Sequence, residues 1–150
     1  MTGDVMRRLS YCVYIFLQCT WGVLQTAAGL VFFLISAGYE HEFYHGCIRT
    51  IRPDIGGVSL GLFIFVSDRK ENGFSDKASV HEFGHTIQSL ILGPLYLPLV
   101  GLPSALWCSL PQFRKMRREK GISYNRPVFE HTANILGEKL LGEESTEKIL

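Results

Sequence analysis

The stretch Asp76-Lys77-Ala78-Ser79-Val80-His81-Glu82-Phe83-Gly84-His85-Thr86-Ile87-Gln88-Ser89-Leu90-Ile91-Leu92 decides how this chain is read. Asp76 or Ser75 before it and Gly93-Pro94 after it predict a helix over residues 77–92. On such a helix, residues four apart share a face, so His81 and His85 can offer two imidazole nitrogens to one ion, with Glu82 beside that ion and not bound to it. Zinc hydrolysis uses this arrangement: the metal brings the pKa of its bound water toward about 7, and a neighbouring carboxylate accepts the proton. Gly84 leaves one side of the helix bare for the close approach of another backbone or a substrate.

The five-residue pattern occurs twice, because His41-Glu42-Phe43-Tyr44-His45 fits it as well. The second match lies within a helix with end signals; the first falls where an apolar stretch stops and Gly46 follows, so His81 and His85 are the pair assigned to metal. His41 and His45 read as a polar collar next to a membrane. A catalytic zinc takes three protein ligands, and the third candidate is Glu130 in Phe129-Glu130-His131-Thr132-Ala133-Asn134, on a last helix predicted over 127–140. Asn134 lies one turn further along that face, placed to fix a ligand histidine from behind. His131 is the alternative ligand, but it points about 100° away from Glu130, so the two cannot serve one ion.

Upstream, Tyr11 to Ala37 carries no charged residue and follows Arg7 and Arg8. It is long enough to cross a hydrocarbon core of about 30 Å as one helix, which gives residues 1–38 as a membrane anchor. A signal peptide cleaved near Thr26-Ala27-Ala28 is the rival, although the apolar run continues past those residues. Gln18 and Gln25, seven apart, mark a face that meets protein and not lipid. Gly56 to Val66 reads as one strand ending at Ser67-Asp68, and Lys70 to Asp76 as a loop.

Downstream, residues 93–111 are apolar but broken by Pro98, Gly101, Pro103 and Pro111, the pattern of a re-entrant or interfacial element. Arg114, Lys115, Arg117, Arg118 and Lys120 follow as a membrane-surface anchor. No aromatic residue interrupts that run and the net charge is only +1, so no nucleic-acid partner is expected. The composition, 47% hydrophobic and 19% charged, suits a chain with part of its surface in lipid. Cys12, Cys19, Cys47 and Cys108 include no Cys-x-x-Cys pair and read as small apolar fillers. Residues 143–150 read as a flexible tail.

These residues resemble the gluzincin class of zinc metallopeptidases, in which a His-Glu-x-x-His helix is followed by a helix bearing Glu-x-x-Ala-Asp. Glu130-His131-Thr132-Ala133-Asn134 matches it except at the last position. The resemblance implies zinc on His81, His85 and Glu130, Glu82 as general base, and Asn134 in place of an aspartate that orients a ligand histidine. The phrases His81 to Ser89 and Leu92 to Tyr96, with Trp21-Gly22, Gln25-Thr26 and Tyr44-His45-Gly46, are also similar to a group of small bacterial membrane proteins, which implies a bacterial inner (cytoplasmic) membrane. In zincin folds the strand before the active helix pairs with an extended substrate, and Ser59 to Val66 is placed for that.

The expected fold is α+β and mainly helical: a transmembrane helix followed by a minimal zincin-like core over residues 39–142. The expected activity is hydrolysis of peptide or protein substrates at a lipid bilayer. Two other readings stand beside it, a site-2-type intramembrane protease and a non-catalytic binding or immunity-like membrane protein. No downstream Asp-Gly motif favours the former. If residues 90–110 crossed the membrane, Glu130 would lie on the opposite side from His81 and His85, so that segment is expected to dip in and return.

Overall fold

The computed structural model describes residues 2–53 and 55–146, with residues 2–7 described by their backbone; the side chain of Arg7 and the end of the tail, 147–150, lie outside the described residues. The fold is α+β and mainly helical. In chain order it runs α1 (Thr2–Thr20), α2 (Val23–Ile35), β1 (Glu40–Tyr44), β2 (Cys47–Arg52), β3 (Gly57–Leu60), β4 (Phe63–Ser67), α3 (Phe74–Leu92), α4 (Leu102–Ser109), α5 (Pro111–Lys120) and α6 (Val128–Leu141). Four strands form one mixed sheet in the order β1-β2-β4-β3, with β2 and β4 parallel and the outer pairs antiparallel.

Every residue of β4 is buried, because both faces of the sheet are covered. Phe63 and Phe65 meet Phe33 and Phe32 of α2, with ring centroids 5.3 and 4.5 Å apart. Ile64 points the other way, into a cluster with Tyr14, Cys47 and Phe83 of α3. Arg49 of β2 ties the sheet to α3: its Nε donates to Glu42 across 2.7 Å and its guanidinium to Ser79 Oγ across 2.8 Å.

The apolar stretch Tyr11 to Ala37 is not the single straight helix expected. It breaks at Trp21-Gly22, and α1 and α2 meet at 94°; among the described residues no single helix is long and apolar enough to cross a membrane. The cause is tertiary. Gln18 and Gln25 are both fully buried and both reach α3: Gln18 Nε2 donates to the Thr86 carbonyl (3.0 Å), and Gln25 Nε2 to Ser89 Oγ (2.7 Å) and the Gly93 carbonyl (3.0 Å). Gly22 gives room at the corner, where a Cβ would lie 2.6 Å from Gln18 Oε1. The two glutamines do face protein, as their spacing suggested.

The strand expected over 56–66 is instead a hairpin, turned at Gly61 with φ of 60°, a conformation that costs glycine no steric penalty. Helix α3 starts at Phe74 and not at 77, after Gly73 in the left-handed region; Ser75 and Asp76 lie inside its first turn and cap nothing. The His41–His45 match lies on β1 and in its turn into β2, where His45 has φ of 47°. Residues 93–111 form a series of short helical pieces, and the chain becomes extended at Leu110 before Pro111 opens α5. Helix α6 then packs beside α3. Adding a Cβ at Gly84 would drive it into the Ala133 carbonyl, and one at Gly137 into the Val80 carbonyl, so two reciprocal glycine contacts set the spacing of these helices. The start of the tail is docked, not loose: Ser145 is buried, and its N–H and Oγ both donate to Glu138 Oε1 (3.3 and 2.8 Å).

Candidate metal centre

One turn apart on α3, His81 and His85 hold their rings nearly perpendicular, with centroids 4.7 Å apart. Across the glycine crossing, α6 delivers Glu130, whose Oε2 lies 2.9 Å from His81 Nε2 and 3.4 Å from His85 Nε2. The three side chains are buried, and their donor atoms all lie within 4.8 Å of one another. His81, His85 and Glu130 can therefore hold a metal ion.

What stands behind the donors fixes their chemistry. His81 Nδ1 is 2.5 Å from Asn134 Oδ1, and His85 Nδ1 is 2.7 Å from Gln88 Oε1. Each Nδ1–H donates to an amide oxygen, which leaves each Nε2 with its lone pair toward the shared point. Gln88 is itself pinned, because its Nε2 donates to the Phe129 carbonyl (2.8 Å) and Thr132 Oγ1 (2.7 Å) on α6. Glu130 is held by its other oxygen: Oε1 accepts from Ser104 Oγ (2.5 Å) and from the Tyr124 hydroxyl (3.4 Å).

Glu130 Oε2, by contrast, is buried and makes no aligned hydrogen bond despite two imidazoles nearby. A buried oxygen without a donor is costly, and a cation at the point where two nitrogens and this oxygen converge resolves it. The donor set fits a metal.

With no cation, protons take over part of that work. Burial, the largest influence on His81, pulls its pKa down, but the Glu130 carboxylate and the charge of Glu82 outweigh it and hold the pKa at about 9. Burial likewise pushes Glu130 up, yet the two imidazoles win and leave it well below the usual carboxylate range. Glu82 goes the other way. Burial raises its pKa, and its Oε2 has no hydrogen-bond partner. It packs against Gly57 of the edge strand β3, where any Cβ would collide with its Oε1. Gly57, His81, Glu82 and Tyr124 line a common cleft of about 1180 Å³.

Comparison with known proteins found no matching family model, no similar curated protein and no similar solved structure.

The other sequence candidates lie apart. His131 is exposed on α6. His41 bonds Thr50 Oγ1 through Nδ1 (2.9 Å) and packs on Phe33. The His41 ring packs on Phe33 whereas His45, in the turn beyond β1, packs against Tyr44 and Phe83, and among the described residues neither joins a metal-holding group. Gln88, Ser104 and Tyr124 were not singled out from sequence. Gln88 carried a signal, since i and i+3 meet on a helix; Ser104 carried a fainter one, as a polar residue within an apolar, proline-broken stretch.

Proposed function

We propose that this chain is a membrane-associated zinc hydrolase acting on peptide bonds, of gluzincin type. The observation that carries the reading is the convergence of His81 Nε2, His85 Nε2 and Glu130 Oε2, with buried Glu82, whose Oε2 has no hydrogen-bond partner, beside them. Two imidazoles and one carboxylate suit zinc and leave a coordination position open. Bound there, zinc would supply an acidified water and a Lewis acid for the scissile carbonyl. Gln88 and Asn134 keep both histidines in the ligating tautomer. Ser104 and Tyr124 hold Glu130 by the oxygen that is not a ligand. Glu82, its proton affinity raised by burial, serves as general base at Oε2 and returns the proton to the leaving amine.

One feature supports substrate binding at this cleft. Gly56 O accepts from Ser67 N, so alternation along β3 turns the N–H and C=O of Gly57 away from β4 toward the outer edge, where the Ser59 carbonyl already accepts from the Tyr96 hydroxyl (3.4 Å). An extended peptide can pair there, next to Glu82. The membrane assignment rests on exposed apolar side chains, and its placement in a bacterial inner membrane on the resemblance alone. Phe16, Trp21, Leu24, Leu34, Ile91 and Leu99 are all more than half exposed, a surface that monomers in water rarely carry, and the basic helix α5 follows this region.

The test is elemental analysis of the detergent-purified protein. About one zinc per chain is expected, lost in His85→Ala and kept in His45→Ala. Glu82→Gln should keep the metal and lose peptide turnover. No zinc in the wild type, or loss only with His45, would overturn the reading.

A further inference from the structure

Asn134 occupies the position where the resemblance leads to an aspartate, and the structure gives it a second task. Its Oδ1 faces His81 Nδ1 at 2.5 Å, while its Nδ2 points to the carbonyl of Thr146 at 3.5 Å. Asn125 Nδ2 reaches the same carbonyl at 3.4 Å. Two side-chain amides thus converge on one backbone oxygen beyond the end of α6. Ser145, next to it, is buried and twice bonded to Glu138, and Lys77 of α3 lies 3.8 Å from Glu144. Residues Glu144 to Thr146 line the cleft that also holds His81 and Glu82.

The chemistry of an amide makes this arrangement informative. An asparagine has an acceptor at one end and a donor at the other, nearly equal in shape, so only its partners decide which end faces where. His81 Nδ1 must meet the acceptor if Nε2 is to ligate. Turned around, the amide would set N–H against N–H. A carbonyl on the far side of Asn134 forbids that turn, because it needs the donor. An aspartate has no wrong orientation, but its second oxygen would face the Thr146 carbonyl, acceptor against acceptor. Asparagine is the residue that serves both neighbours.

We propose that the segment Glu143–Thr146 is a strap that positions the metal site: docked, it fixes the Asn134 amide and through it the His81 imidazole. Thr146 and Ser145 are positioning residues, and the site is coupled to the state of the strap. The inference rests on the reading of His81, His85 and Glu130 as a metal site.

The experiment is a cycle of Ser145→Pro, which removes both strap bonds to Glu138 without touching the site, and Asn134→Asp, singly and together, in the full chain. Zinc affinity is measured by chelator competition, and strap docking by hydrogen exchange at the Asn125 side-chain amide, whose Nδ2 donates to the Thr146 carbonyl. Both single variants should speed that exchange. In the Asn134 protein, Ser145→Pro should weaken zinc binding by about tenfold or more, the usual scale for losing a partner behind a ligand histidine. In the Asn134→Asp background the same change should leave zinc affinity unaltered. An equal loss in both backgrounds, or no loss in either while exchange accelerates, would overturn the coupling alone. A wild type that binds no zinc would overturn the metal reading and the coupling with it, while unchanged exchange in Asn134→Asp would refute the clamp whatever the metal content.

Discussion

Ser104 Oγ donates to Glu130 Oε1 across 2.5 Å, so a ligand carried by α6 is held by an element from the apolar, proline-broken part of the chain. Helix α4 exposes Leu102 and Leu106 elsewhere on its surface. The metal centre is therefore braced by the segment proposed to meet lipid.

Ser104→Ala leaves Glu130 Oε1 with only the longer contact to Tyr124. Zinc affinity should fall by about tenfold, on the scale known for groups that orient ligands, with far-UV circular dichroism unchanged. Chelator competition measures it, and an unaltered affinity would remove Ser104 from the site.

Gly84→Ala places a methyl group against the Ala133 carbonyl, and the backbone there cannot give way cheaply. The expected loss is about 3 kcal/mol or more in chemical denaturation, at the upper end of overpacking costs. Because the same contact delivers Glu130, zinc should be lost together with stability. Gly137→Ala should behave alike, through the Val80 carbonyl.

Gly57→Ala presses on the base and not on the ligands. A Cβ there meets Glu82 Oε1, so turnover should fall at least tenfold while zinc content stays near that of the wild type. Loss of metal in this variant would show that β3 shapes the whole centre and not the base alone.

The metal-free protein should also respond to pH. His81 titrates at about 9 in the fold against about 6.5 in an unfolded chain. A raised pKa means that the proton favours the folded state, with the full stabilisation below pH 6.5 and its loss as pH climbs through 9. The melting temperature of the metal-free form should fall across that window. Zinc uptake displaces the same proton, so calorimetry in buffers of different ionisation enthalpy should detect about one proton released near pH 7.

Helix α3 and the grouping of His81, His85 and Glu130 were legible in the sequence because their signals are local. A four-residue spacing fixes a helix face, and Glu130 carries its own spaced motif. The corner at Trp21-Gly22 was not legible. Hydropathy registers that the stretch is apolar, whereas the bend follows from Gln18 and Gln25 reaching Thr86, Ser89 and Gly93 some 64 to 71 positions away. The β3–β4 hairpin was hidden for a different reason, since Gly61 interrupts the apolar run from Leu60 to Val66 without a polar turn signal. Gln88, Ser104 and Tyr124 became visible only once tertiary structure set them behind the ligands.

The glycine crossing of α3 and α6 has a bearing on which ion is accepted. Carbonyl groups of each helix lie against the Cα atoms of the other, with the Val80 side chain beside the Gly137 crossing, so the two helices have little room to shift. The spacing of the imidazole pair and the carboxylate is therefore set in part by the main chain. On the proposed metal reading, Glu130 Oε2 at 2.9 and 3.4 Å from the two imidazole nitrogens would suit a small cation with bonds near 2.1 Å better than calcium, which takes six to eight oxygens at about 2.3–2.6 Å. On that reading, selection among cations would rest on the backbone as well as on the ligands.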